Sequence, residues 1–274
     1  MPTIFKHLHA CVFVLLSGLS QYASAIYIDI NFSGSLSTSQ QAVFTQAEQF
    51  WENTLTGYQP SINANALSNI VINAKGEAID GAGGILGSAG PTYIWDIGGY
   101  ILSSEGDMRF DTADLANLEN NGTLESVIRH EMAHVLGFGV LWELNGVYVE
   151  GSGQYTGANA LSLWQTEFGQ SNATYIPIEA GGGPGTAEAH WDEVNFGSAA
   201  TGILDEDNND LRDELMTGWL NSNAFISDMT IASFVDIGYE VALSEVPVPA
   251  AAYLFLSALA SLFYAKRKTN VLPL

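Results

Sequence analysis

Strict alternation marks the first legible element of the chain. In "IYIDINF", residues 26–32, Ile26, Ile28, Ile30 and Phe32 share one face and Tyr27, Asp29 and Asn31 the other, the period-two pattern of a half-buried strand. The period then changes. Val43, Phe44, Ala47, Phe50, Trp51 and Leu55 recur at helical spacing, Ser37 and Gln40 fit a capping box, and Gly57 marks an expected stop. "NIVINAKGEAI", residues 69–79, predicts a second strand. The glycine-rich "IDGAGGILGSAGPTYIW", residues 79–95, predicts loops around a short strand at Ile85-Leu86 and another at Thr92 to Trp95. A second helix is expected from near Thr123 to near Gly137, with Leu124, Val127, Ile128, Val135 and Leu136 available for the core; a last one is expected from Ser227 through Ile231, Phe234 and Val235 to Gly238. Between them, Gly151 to Pro184 is rich in glycine and small polar residues and predicts a long excursion on the surface. Strands interspersed with three helices predict an α+β, or mixed α/β, domain.

The ends of the 274-residue chain have a different character. Residues 1–25 carry Lys6, an apolar run from Ala10 to Leu19 and the small residues Ala23-Ser24-Ala25, the pattern of a secretory signal peptide. The single cysteine, Cys11, falls inside it, so the exported domain, expected over residues 26–245, has no thiol to form a disulfide or bind a metal. Residues 246–274 begin with Val246-Pro-Val-Pro249, continue as an uncharged apolar run from Ala250 to Ala265 and end in Lys266-Arg267-Lys268, which predicts membrane insertion with a cytoplasmic stop. This tail resembles the PEP-CTERM sorting signals of Gram-negative bacteria, with Val-Pro-Val-Pro in place of Val-Pro-Glu-Pro. The resemblance implies a processing partner of exosortase type and a location in the cell envelope, at the cell surface or outside the cell.

Between Asp29 and Glu245 all thirty acidic residues face only Lys75, Arg109, Arg129 and Arg212, leaving a charge of −26. Such a polyanion is repelled by phosphate backbones, which argues against nucleic-acid partners. The acidic run "DEDNND", Asp205 to Asp210, lacks the glycine and distal glutamate of an EF-hand loop, so calcium has only weak support.

Chemistry concentrates in "HEMAHVLGFGVLW", residues 130–142. His130 and His134, four apart on a helix, project from one face and can reach a single ion, while Glu131 stands beside it, free to hold a water. A catalytic zinc wants a third protein ligand, but Val140 stands where one familiar zinc pattern has a histidine. His190 is the histidine left once His7 and His9 depart with the signal peptide; Glu143, Glu150 and Glu167 are the carboxylate alternatives, and Gly137 favours a sharp turn beneath the metal and hence a histidine.

Taken in order, "HEMAHVLGFG", a long insertion, "GTAEAHW" ending at Trp191, "DELMTGWL" at 213–220 and "TIASFVDIGYEV" at 230–241 resemble the leishmanolysin family of metzincin peptidases. That resemblance implies a metzincin-type domain with a twisted mixed sheet, an active-site helix and a Met-turn. It implies His130, His134 and His190 as ligands of one catalytic zinc, Glu131 as catalytic base, and Met216 as the methionine of the turn. It further implies an edge strand that binds extended substrate, a role expected of Ile85, Leu86 and Gly87. The activity implied is secreted zinc endopeptidase action on proteins or peptides through a zinc-activated water; the chain departs from the family in lacking its cysteines, so latency by a cysteine switch cannot operate. A surface or matrix protein with a structural zinc is the alternative, and the intact Glu131 weighs against it.

Overall fold

The computed structural model describes residues 26–63, 67, 69–193 and 195–243. The expected signal peptide and the C-terminal segment 246–274 lie outside the described residues, and among the described residues no helix is long and apolar enough to cross a membrane.

The chain opens with β1 (Ile28–Gly34) and α1 (Thr38–Thr54), whose capping box is formed: the Ser37 hydroxyl accepts from the Gln40 N–H while the Gln40 side chain accepts from the Ser37 N–H. The helix stops at Thr54, ahead of Gly57. Leu55 turns extended there because β2 (Leu55–Tyr58) pairs with the last strand, β8 (Tyr239–Val241). Next come β3 (Ile70–Glu77), β4 (Gly87–Ile97) and β5 (Tyr100–Asp111). In place of two short strands, residues 87–97 form one long strand, and Ile85 and Leu86 precede it outside any strand. The loop from Ile79 to Ile85 owes its shape to carboxylates: Asp111 accepts from Ile79, Asp80, Gly81 and Ala113 N–H, Asp114 from Gly83, and Asp80 from Ile85.

The sheet has the order β1-β3-β5-β4; β1, β3 and β5 run parallel, and β4 runs antiparallel to β5 along one edge. A mixed α/β domain is therefore what the chain builds. β3 alternates buried and half-buried positions, as expected for a sheet covered on one face. The cover is α1 and α3 (Leu124–Leu136), the latter preceded by α2 (Leu115–Asn121). α3 lies across β4 and β5 at Gly106, where a Cβ would sit 2.5 Å from the Val135 side chain. Phe44 of α1 packs edge-on between Phe32 and Phe110, and the Trp51 indole donates to the Arg129 carbonyl of α3 at 3.0 Å.

Five α-helices occur among the described residues, two more than the apolar spacing predicts. One of the extra two lies within the stretch read as a surface excursion. There, β6 (Gln154–Tyr155), α4 (Ala158–Thr166) and β7 (Ile176–Pro177) form a packed unit, with Tyr155, Ala160, Trp164, Phe168, Ile176 and Ile178 buried. Ala160, Trp164 and Phe168 do recur at helical spacing, but over a run so short, set among flanking glycines, that the composition of the stretch masks it. α4 packs on α5 (Asp228–Asp236), and Trp142, Tyr155, Trp191 and Phe138 form one aromatic cluster between them and α3.

Candidate metal centre

His130 and His134 stand one turn apart on α3, which ends at Gly137, whose φ of +116° is open to glycine and costly for other residues. Two residues on, Gly139 (φ +72°) passes so near the returning chain that a Cβ on it would lie 2.5 Å from the Ala189 carbonyl oxygen. That close approach sets His190 beside α3. Trp191, next in line, bridges to Ile178 and to Thr217, so the returning segment is held from both sides.

The three imidazoles converge. Nε2 of His130 lies 3.0 Å from Nε2 of His190 and 3.1 Å from that of His134, and the last two are 3.1 Å apart. Each Nδ1 faces a backbone carbonyl: Leu215 at 2.7 Å for His130, Phe138 at 3.0 Å for His134 and Thr186 at 2.8 Å for His190. A carbonyl only accepts, so each Nδ1 carries the ring proton, and each Nε2 presents a lone pair to the other two. Three lone pairs aimed at one point repel unless a cation lies there. A triangle of this edge admits a point about 2.0 to 2.1 Å from every corner, the length of a zinc–imidazole bond. Among the described residues, these three histidines are the group of three or more metal-ligating side chains whose donor atoms come together.

Burial favours the neutral, ligating form. It lowers the pKa of His130; it holds His134 well below its ordinary value, helped by the two neighbouring rings; and it pushes His190 down to about 3, helped by His130. Glu131 is buried against β4: a Cβ on Gly87 would lie 2.9 Å from its Cγ and its Oε1. Desolvation raises its pKa to about 8 without the metal.

Behind the histidines lies a carboxylate whose role the sequence does not announce. Glu214 is fully buried and accepts four hydrogen bonds: from Met216 N–H at 2.6 Å, Ser227 N–H at 3.0 Å, the Ser227 hydroxyl at 2.9 Å and the Thr230 hydroxyl at 2.6 Å. It thus ties Leu215, whose carbonyl orients His130, to the start of α5. Thr230 also accepts from the Trp191 indole at 2.7 Å, which links the neighbour of His190 to the same anchor. Met216 is fully buried, and its carbonyl accepts from Trp191 N–H at 3.1 Å.

The histidines and Glu131 face a cleft of about 1480 Å³, with Leu86 to Ala89 on one side and Thr186, Gly218 and Trp219 on the other. That exceeds the roughly 300 to 1,000 Å³ of a small-ligand pocket and suits a polymer. Ile85, Leu86 and Gly87 all line it, but Gly87 alone belongs to the edge strand. The alternative carboxylate ligands are engaged elsewhere or face solvent: Glu143 and Glu150 are exposed, and Glu167 accepts from Asp228 and Met229 N–H at the start of α5. In "DEDNND", Asp205 accepts from Asp207 and Asn209, and Asp210 from Thr201, Gly202 and Arg212.

The model of the leishmanolysin family matches residues 103–252, more than half of the chain, and takes in all three histidines, Glu131 and Glu214. A leishmanolysin homolog of Crithidia fasciculata is 28% identical over 126 residues, which cover 41% of this chain and 16% of that protein's length.

Proposed function

Because the chain belongs to the leishmanolysin family of zinc metallopeptidases, we propose that it is a zinc-dependent endopeptidase in which Glu131 serves as general base. The observation that carries this reading is the triangle of unprotonated Nε2 atoms with the Glu131 carboxylate beside it, opening on a polymer-sized cleft. His130, His134 and His190 hold the ion. When bound, zinc supplies a Lewis acid that polarises a peptide carbonyl and brings the pKa of water down to about 7.

The remaining work falls to the chain's own residues. The unpaired edge of β4, starting at Gly87, receives the substrate in extended form and sets its scissile amide over Glu131. Glu131 takes a proton from the attacking water on its carboxylate and delivers it to the leaving nitrogen. A nearby cation favours the ionised carboxylate that this requires, against the desolvation that raises its pKa. Met216 supplies an apolar floor as the methionine of a Met-turn, and Glu214 fixes that turn in place. On the sequence patterns of residues 1–25 and 246–274, the enzyme is exported and sorted at the envelope of a Gram-negative bacterium.

The experiment is a comparison of the zinc-loaded protein with Glu131→Ala. Both are expected to hold about one zinc, while cleavage of an unfolded protein falls by about 10²- to 10⁴-fold in the variant. Retained turnover in Glu131→Ala would remove the base from its role, and absence of zinc from the parent would remove the reading altogether.

A further inference from the structure

β4 does not end at the cleft. Its first three residues, Gly87 to Ala89, line the active-site space, and the same strand continues to Ile97 with no strand among the described residues paired to its outer edge. Past Pro91, which has no N–H to offer a partner strand, the register against β5 shifts twice, between Pro91 and Tyr93 and between Tyr93 and Ile94. Main-chain pairing with a peptide is therefore interrupted there. Beyond the interruption the strand presents side chains: Tyr93 is 64%, Ile94 48% and Trp95 51% exposed, three large apolar residues in succession. An isolated exposed apolar residue is ordinary, but alternation along the strand puts Tyr93 and Trp95 on one face, with Ile94 on the other, and two exposed aromatic rings side by side on an open edge mark a contact surface.

The surrounding charge narrows the partner. From Gly87 to Asp111 the hairpin carries Asp96, Glu105, Asp107 and Asp111 against one basic residue, Arg109, which pairs with Ser88 at the cleft end, so the stretch around Tyr93 is acidic, with Glu105 opposite Tyr93 in the ladder. With −26 over residues 29–245, the surface repels anionic lipid headgroups. An apolar segment with basic flanks is what complements it. Resting on the reading of the cleft as a peptide-binding site, we propose that Tyr93 and Trp95 form an exosite that engages an apolar, basic-flanked stretch of a long unfolded polypeptide several residues from the bond being cut. From Gly87 to Trp95 is about 26 Å at strand rise, so a peptide of about six residues centred on the catalytic atoms does not reach it, whereas one of about twenty does.

The test combines binding and cleavage. Fluorescently labelled peptides of about twenty residues carry, about eight residues from the cleaved bond, either a Phe/Leu segment flanked by lysines, the same segment with serines in place of Phe and Leu, or the apolar segment flanked by glutamates. Binding is measured to zinc-loaded Glu131→Ala with and without Tyr93→Ser and Trp95→Ser. The apolar, lysine-flanked peptide is expected to bind about tenfold more tightly than the other two, and the paired serine substitutions to erase that preference. In the enzyme with Glu131 intact, the same two substitutions are expected to raise KM for the long apolar peptide and leave cleavage of the six-residue peptide and the melting temperature unchanged. Equal binding of all three peptides overturns the proposal, as does an equal loss on the short peptide. It is also overturned if the fluorescence of Trp95, read as the difference from Trp95→Phe, responds to phosphatidylcholine vesicles and not to the apolar peptide. If no peptide is cleaved by the zinc-loaded parent, the endopeptidase reading fails, while the binding comparison still decides the exosite.

Discussion

A metal ligand is only as well placed as the groups behind it, and for His130, a ligand in the proposed reading, those groups run through Leu215 to Glu214. The carboxylate of Glu214 serves as acceptor for four donors at once. A glutamine has the same shape but brings an NH₂ where an acceptor is needed, so at least one N–H or O–H of Met216, Ser227 or Thr230 loses its partner in a buried place. Glu214→Gln is expected to cost about 1 to 3 kcal/mol of folding stability in urea denaturation of the metal-free protein. A purely structural role would stop there. If Glu214 also positions His130, zinc affinity measured by competition with a chelator falls as well, by about 10- to 100-fold, the range for residues that orient metal ligands. Unchanged affinity in a folded variant would confine Glu214 to holding α5.

At the scale of elements, two glycines set the distances between the pieces that make the site, and adding a methyl group to each should fail differently. On β4, a Cβ at Gly87 meets only the flexible end of Glu131, 2.9 Å away. Gly87→Ala is therefore expected to displace that carboxylate and lower kcat by about tenfold, with zinc content and melting temperature close to the parent's. After α3, a Cβ at Gly139 meets backbone: the Ala189 carbonyl oxygen at 2.5 Å and Cα at 2.8 Å, with φ at +72° besides. Neither can give way without moving His190, so Gly139→Ala is expected to lower stability by about 1 to 3 kcal/mol and to weaken zinc binding together with it. Measuring kcat, zinc affinity and melting temperature on the two variants separates the roles; the same pattern in both would mean that the elements adjust more freely than the contacts indicate. Local periodicity made α1, α3 and α5 and strands β1 and β3 legible, because each carries its own apolar face and the helices have local stop or start signals, Ser37 for α1, Gly137 for α3 and Ser227 for α5. It did not reveal α2, α4, β5 or the length of β4. These are shaped by contacts distant in the chain, such as Asp111 gathering the loop from Ile79 to Gly81, or α4 burying Trp164 against α5.

For the molecule as a whole, the site is a store of buried titratable groups, and the cost of holding them shows in how stability varies with pH. His130, His134 and Glu131 could be read from their spacing, and His190 from there being so few histidines; Glu214 could not, because nothing in "DELMTGWL" says that the glutamate points inward. In the metal-free protein Glu131 titrates near 8, above the 4.5 of an unperturbed carboxyl, so between those values the folded state binds the extra proton and stability is lost as pH rises. His190 titrates near 3, below its ordinary 6.5, so between those values the unfolded chain binds the extra proton and stability is lost as pH falls. Two other carboxyls, half-buried Glu167 and buried Glu193, are also raised to about 7 by desolvation, so the parent's profile alone cannot isolate either group. Differences against neutral replacements can. With zinc removed by chelation, the stability of Glu131→Gln relative to the parent is expected to rise from pH 5 to pH 8, by up to about 1.4 kcal/mol per unit. That of His190→Asn is expected to rise in the opposite direction, as pH falls below about 6.5. Urea denaturation of the three proteins across that range measures both slopes. Two flat lines would mean that these groups face solvent, and the dry three-nitrogen site on which the zinc reading depends would go with them.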